Sequence, residues 1–196
     1  MAEKVLQIPL SESDVRDLKI GDVIYLKGLV YTARDMAHLR IKEYIMANKE
    51  MPVDFNGSVI FHAGPVARKK PDDSWELVVI GPTTSTRMEP YAEIVGRLGV
   101  RAIVGKGGMM DFTIEKAAEH GYVYLQAAPG CGVTTTEGFE KIKGVEWLDL
   151  AMPEALWEID AIHFGPLVVA MDTHQRSIYK EITEQALNKV QKKYGN

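Results

Sequence analysis

Apolar and polar positions change rhythm along the chain. Near the start, Val5-Leu-Gln-Ile-Pro-Leu10 alternates roughly as a strand does, Ser11-Glu-Ser-Asp14 offers a helix N-cap, and Ile20-Gly-Asp22 reads as a turn. The stretch 23–32 is rich in β-branched and aromatic residues around a central Gly28, which predicts two strands or one bent strand. Met36, Leu39, Ile41, Tyr44 and Ile45 give a mixed helical pattern over 35–47, with Pro52 just beyond, and 57–61 predicts another strand. Trp75-Glu-Leu-Val-Val-Ile80 is a continuous apolar run, followed by Gly81-Pro-Thr-Thr-Ser-Thr86 and a helix over about 87–98 closed by Gly99. The strand 100–104, the turn Gly105-Lys-Gly-Gly108, a helix ending near His120-Gly121 and the strand 122–125 repeat that design. Apolar runs alternating with helices predict βαβ units and a parallel sheet buried on both faces. Three short strands at 145–150, 156–159 and 167–171 have hairpin-length spacing and an antiparallel character. A last helix over 174–192 carries Ile178, Ile182, Ala186 and Val190 on one stripe. The sum is an α/β protein with a parallel sheet, a second antiparallel sheet and helices. It reads as one domain over 1–196 with a soft seam near 50–57.

Composition narrows the function classes. With 196 residues and 46% hydrophobic content, the chain can bury a sizeable core without a disulfide or metal staple. Its 23 Lys+Arg against 27 Asp+Glu leave a net charge of −4, which speaks against a nucleic-acid partner. No apolar run is long enough to span a bilayer, and the start lacks the apolar core of a signal peptide, so a cytoplasmic location is expected. The single cysteine, Cys131, allows no internal disulfide and cannot by itself hold an iron–sulfur cluster.

Candidate chemistry gathers at strand ends. Gly81-Pro-Thr-Thr-Ser-Thr-Arg87 joins an apolar strand to a helix, so free N–H groups, four hydroxyls and the Arg87 fork could face an anion; equally, the hydroxyls could simply cap the helix. Gly105-Lys106-Gly-Gly108 lets the backbone approach a ligand and adds a point charge, although an exposed Gly-rich turn reads the same way. Two such loops on consecutive parallel strands would open at one sheet edge, where open α/β sheets bind ligands. Thr32-Ala-Arg34-Asp35 lies at a strand end opening a helix that also carries His38 and Arg40. There Asp35 reads most simply as an N-cap. No Walker or dinucleotide-binding glycine spacing occurs. The five histidines lack metal-ligand spacing, so each reads as a capping or surface residue rather than a ligand, and no metal is assigned to this chain. Cys131 reads as a small packed thiol and Asp172-Thr-His-Gln175 as a cap on the last helix.

Taken in order, Thr32-Ala-Arg-Asp-Met-Ala-His-Leu-Arg40, Pro52-Val-Asp-Phe-Asn-Gly57, His62-Ala-Gly-Pro65, Gly81-Pro-Thr-Thr-Ser-Thr-Arg-Met88, Gly105-Lys-Gly-Gly-Met109 and Glu154-Ala-Leu-Trp157 resemble a known family. It comprises the β subunits of two-subunit, class I fumarate hydratases and the related L-tartrate dehydratases, or the C-terminal domain of longer relatives. The resemblance covers nearly the whole chain from about residue 5. It implies a swivelling β/β/α domain of three layers. It also implies a 4Fe–4S cluster ligated by a cysteine-bearing α subunit, an α2β2 heterotetramer and a small dicarboxylate substrate. Carried over position by position, Arg34, Thr83, Arg87 and Lys106 fall on substrate-contacting positions, with Thr83 and Lys106 the catalytic pair; the proton acceptor is either Thr83 or an α-subunit carboxylate behind it. The implied reaction is reversible hydration of fumarate to (S)-malate. Tartrate dehydration and a non-catalytic anion-binding or assembly module are the alternatives.

Overall fold

The computed structural model describes residues 3–194. Strand β1 (Glu3–Gln7) leads to α1 (Glu12–Arg16), which Ser11 caps as expected. Its hydroxyl accepts from the Asp14 N–H while the Asp14 carboxylate accepts from the Ser11 N–H. β2 (Val23–Thr32) is one bent strand rather than two. Gly28 makes the bend at φ 112°, and a Cβ there would lie 2.7 Å from the Ile8 carbonyl oxygen. After α2 (Asp35–Met46), β3 (Val59–Phe61) and the hairpin β4 (Val66–Lys69) and β5 (Trp75–Val79), a 3-10 turn over Ser85–Tyr91 runs into α3 (Ala92–Arg97). Then come β6 (Ala102–Gly105), α4 (Asp111–His120), β7 (Val123–Gln126), α5 (Gly132–Glu137), β8 (Phe139–Glu146), β9 (Leu156–Met171) and α6 (Ile178–Tyr194).

β2, β3, β6 and β7 pair in parallel, and the two middle strands are buried on both faces, as their unbroken apolar runs require. The antiparallel part of the fold is continuous with this sheet. β9 pairs antiparallel with β7, β8 and most of β2, so β2–β3–β6–β7–β9 closes into a ring, with β1 and β8 as outer strands. The expected short strands at 156–159 and 167–171 are therefore one 16-residue strand. Polar positions between them point outward on a strand shared by three neighbours, and that interruption imitated a loop. One core fills the ring, with Leu26, Phe61, Val104, Trp157 and Phe164 among its residues. A second, containing Ile60, Met88, Ile103, Ile114 and Tyr122, lies under the helices. The arrangement is a mixed α/β fold in layers.

Several expectations change. β5 is not a buried parallel strand. It forms a separate two-stranded antiparallel sheet with β4, and its residues alternate between partly buried and exposed, Val78 remaining 42% exposed. Apolar content alone mimicked a core strand; the polar β4 partner decided its place. The stripe on α6 is not packed inside: no residue of the helix is buried, and Ile182 and Val190 are exposed. Asp172 is itself fully buried and accepts from the N–H groups of Ile20, His174 and Arg176, tying the turn before α6 to the start of β2 rather than capping the helix. Cys131 is exposed at the start of α5 instead of packed.

Candidate functional site

The three polar segments singled out from sequence meet at one edge of the parallel strands. After β5 the chain returns beside the main sheet, where Pro82 bridges Ala63 and Thr84 bridges Lys106. The Thr83 N–H donates to the His62 carbonyl (2.7 Å), the Lys106 N–H to the Thr83 carbonyl (3.2 Å) and the Ser85 N–H to the Lys106 carbonyl (3.0 Å). The Thr83 turn thus extends the ladder past the carboxyl ends of β3 and β6, even though β5 is not the strand that delivers it. Gly105 is required here. A Cβ on it would lie 1.9 Å from Ser85 Oγ, so any side chain would push the turn away from Lys106. Gly107 and Gly108 follow at φ 80° and 79°, in the left-handed region that glycine adopts without strain.

Arg87 is not the free fork its sequence context suggested. Its Nε and Nη2 donate to the two carboxylate oxygens of Asp35 at 2.8 and 3.0 Å, and Nη2 also donates to Thr83 Oγ1 at 3.1 Å. Asp35 is therefore the partner of Arg87 and not an N-cap; the capping position of α2 is Arg34, with no side-chain cap. The hydrogen bonds from Arg87 hold the Asp35 carboxyl below its usual range, and the same bonds hold the guanidinium above its own. Glu154 adds attraction on Arg87 and lies 3.1 Å from Arg34 Nε, at ion-pair distance but not aligned for a hydrogen bond. The second Glu154 oxygen accepts from the Met36 N–H at 3.0 Å. Gly64 closes this corner: a Cβ on it would lie 2.6 Å from the Pro153 carbonyl oxygen and 2.8 Å from Arg34 Nη1. Two cations, two carboxylates and one threonine hydroxyl thus share a face that is open to solvent at Arg87 (side chain 43% exposed), and the Lys106 backbone borders it. Arg40, on the same helix as Asp35, is turned instead to Asp149 at 2.7 Å.

The hydroxyl run is divided. Thr83 faces Arg87, Thr86 donates to the Gly108 carbonyl (3.3 Å), and Ser85 points into the core. None of them caps the following helix, which starts as 3-10 and reads Thr84 at its N-cap without a side-chain bond. The helix dipole expected behind this loop is correspondingly short.

The surface assignment of the histidines is overturned at two positions. His38 and His62 are fully buried, their rings edge-to-face with centroids 5.2 Å apart. Burial pushes His38 down to about 4 and His62 well below the ordinary histidine value, so both are neutral near pH 7. The signal lay in the sequence: His62 directly continues Val59-Ile-Phe61, a strand with no exposed position, and a polar residue there needs an internal partner. Glu93, Glu119 and His120 bring ligand atoms within 4.8 Å of one another. Lys116 already fills that group, its Nζ 3.1 Å from Glu93 and 2.7 Å from Glu119, so it reads as an ion-pair network. The sole cysteine could supply no more than one ligand to an iron–sulfur cluster, so this chain's residues do not by themselves fit such a group.

Residues 2–182 match the sequence model of the family described as "Fumarase C-terminus". A "Putative L(+)-tartrate dehydratase subunit beta" of Methanocaldococcus jannaschii is 46% identical over 188 residues, spanning 95% of this chain and 96% of that protein. The "L(+)-tartrate dehydratase subunit beta" of Escherichia coli K12 is 42% identical over 180 residues, 91% of this chain and 88% of its own length. A "Putative fumarate hydratase class I" of Geobacillus stearothermophilus is 41% identical over 186 residues; the match spans 94% of this chain but only 35% of that longer protein.

Proposed function

The chain belongs to the fumarase C-terminal family, and from that premise we propose that it is the β-type subunit of a hydro-lyase acting on a four-carbon dicarboxylate. The observation that carries the reading is the joining of Arg87, Thr83 and Lys106 through one side-chain bond and one ladder bond, with Arg34 beside them on the same face. The proposed reaction is reversible hydration of fumarate to (S)-malate, the chain filling the family's swivelling-domain role. A second reading, dehydration of tartrate to oxaloacetate, is favoured by the names of the two β-subunit-length relatives.

Elimination of water from such a substrate requires loss of a proton from the carbon next to a carboxylate, which then gathers a second negative charge. Cations aimed at that carboxylate stabilise the transition state more than the substrate. Arg34, Arg87 and Lys106 supply those cations. Asp35 holds Arg87 by one edge of its fork, leaving the Nη1 donors outside the bonds described above and available to a carboxylate. Thr83 Oγ1 is the proposed proton acceptor. A threonine hydroxyl is a weak base, but the Arg87 N–H directed at it favours the alkoxide form. Departure of the substrate hydroxyl is assigned to a partner subunit carrying the 4Fe–4S cluster, within an α2β2 assembly in the cytoplasm. Among the described residues, no helix is long and apolar enough to cross a membrane.

Co-expression with the cysteine-bearing partner, followed by anaerobic assay, tests the reading. The assembled complex should turn over malate and fumarate faster than tartrate, and Thr83→Ala should lower kcat. Faster turnover of tartrate would establish the second reading, and turnover of neither would remove both.

A further inference from the structure

The elements bearing the four site residues are connected beneath the surface by a buried chain of neutral polar groups. The Ser85 N–H donates to the Lys106 carbonyl at 3.0 Å. The Tyr124 O–H donates to Ser85 Oγ at 3.1 Å, and Ser85 Oγ is 2.9 Å from His62 Nδ1. Tyr124, Ser85 and His62 are all fully buried. Because Ser85 Oγ already accepts from Tyr124, and His62 Nδ1 is the acceptor that the described bonds offer its proton, the serine donates to the imidazole. His62 therefore carries its own proton on Nε2. His38 has the opposite arrangement: its Nδ1 is 2.9 Å from the Arg34 carbonyl, which can only accept, so its proton is on Nδ1 and its Nε2 is left as an acceptor. The Nε2 atoms of both rings are buried without a partner among the described bonds, one a donor and the other an acceptor, on rings that touch edge to face.

We infer that His62 and His38 are positioning residues: a buried pair of neutral imidazoles of opposite tautomer that fixes the Thr83–Ser85 turn, with the Lys106 backbone bonded to it, and the Arg34 strand end relative to one another. This rests on the function proposed above, because it assigns these residues a part in holding that site. The chain reaches the groups proposed to meet substrate through their own backbone or at two residues' distance: His38 bonds the Arg34 carbonyl, Ser85 bonds the Lys106 carbonyl, and Ser85 lies two residues from Thr83 and from Arg87. A charge on His62 would break the order of donors, since an imidazolium cannot accept from Ser85. Burial keeps both rings uncharged, so the alignment does not vary over the ordinary pH range.

The test uses the full-length chain assembled with its partner. Ser85→Ala and His62→Leu each remove one link with little change in volume, and each is expected to lower kcat/KM about tenfold to a hundredfold. The double variant is expected to lose no more than the worse single, because both break one chain. His62→Asn keeps an acceptor at the Nδ1 position and is expected to restore activity towards wild type, which a purely space-filling role would not require. Nitrogen NMR of 15N-histidine-labelled protein at pH 7 should show His62 as the Nε2–H tautomer and His38 as the Nδ1–H tautomer. Retention of kcat/KM within about twofold in Ser85→Ala, losses that multiply in the double variant, or the reverse tautomer at His62 would each overturn the inference. If the wild-type complex turned over neither fumarate nor tartrate, the proposed function would fall. The tautomers would still decide the hydrogen-bond order by themselves.

Discussion

Replacing Asp35 by alanine should separate the stability of this protein from its chemistry. Asp35 takes both of its bonds from Arg87, and the two side chains are 37% and 43% exposed, so solvent screens much of their attraction. A pair of that kind contributes roughly 0.2–1 kcal/mol, which in a chain of this size lowers the melting temperature by no more than about 2–4 °C. The effect on turnover should be far larger. Without Asp35 the guanidinium loses two of its three described bonds, keeps only that to Thr83 Oγ1, and can swing away from where a substrate carboxylate would meet it. A displacement of about 1 Å in such a group costs on the order of 10²-fold, near 2.7 kcal/mol of transition-state stabilisation. Steady-state kinetics of the assembled complex, alongside a thermal melt of the same sample, measures both. Asp35→Asn, which keeps the shape and loses the charge, should fall between wild type and Asp35→Ala. Because Asp35 acts only through Arg87, adding Asp35→Ala to Arg87→Ala should change nothing further. A kcat/KM for Asp35→Ala within about threefold of wild type would refute the reasoning, as would a loss in the double variant equal to the product of the singles.

Other substitutions test the frame around the site. Gly105→Ala should cost about 1–3 kcal/mol by forcing Ser85 aside, seen as a lower midpoint in urea together with reduced turnover. Phe61→Ala removes a buried ring whose centroid lies 4.8 Å from that of Phe164, and should cost about 3–5 kcal/mol in the same titration. Hydrogen bonds from Lys116 and Arg97 bring Glu93 down from 4.5 to about 2, so its stabilising effect is complete above 4.5 and is lost as pH falls through about 2. Melting curves of wild type and Glu93→Gln should accordingly converge as pH is lowered through that window and stay parallel above it.

Most of the helices and the parallel strands were legible in sequence, because each is short, bounded by glycine or a cap, and carries one period. Ser11 and Gly121 ended their helices as such residues do. What escaped depended on partners distant in the chain. The Trp75–Ile80 run looks like a core strand until β4 is seen beside it, and β9 looks like two strands until its pairing with β2, β7 and β8 is known. The segments bearing the four residues picked for the site meet at one sheet edge, yet their balancing groups were not legible. Asp35 and Arg87 are 52 positions apart, and Glu154 reaches Arg34 from the far end of the chain. Local context made Asp35 a cap and His62 a surface residue; tertiary packing gave each a different neighbour.

The central claim is that this chain grips a dicarboxylate whose hydroxyl is removed by groups on another subunit. Anaerobic turnover by the complex assembled with wild-type chain or with Lys106→Met, together with an assay of the isolated chain, tests it most directly. The account predicts no turnover by the isolated chain, robust hydration of fumarate by the complex, and a kcat lower by about 10²–10³ in Lys106→Met. Turnover by the chain alone, or an unchanged kcat in the variant complex, would contradict it.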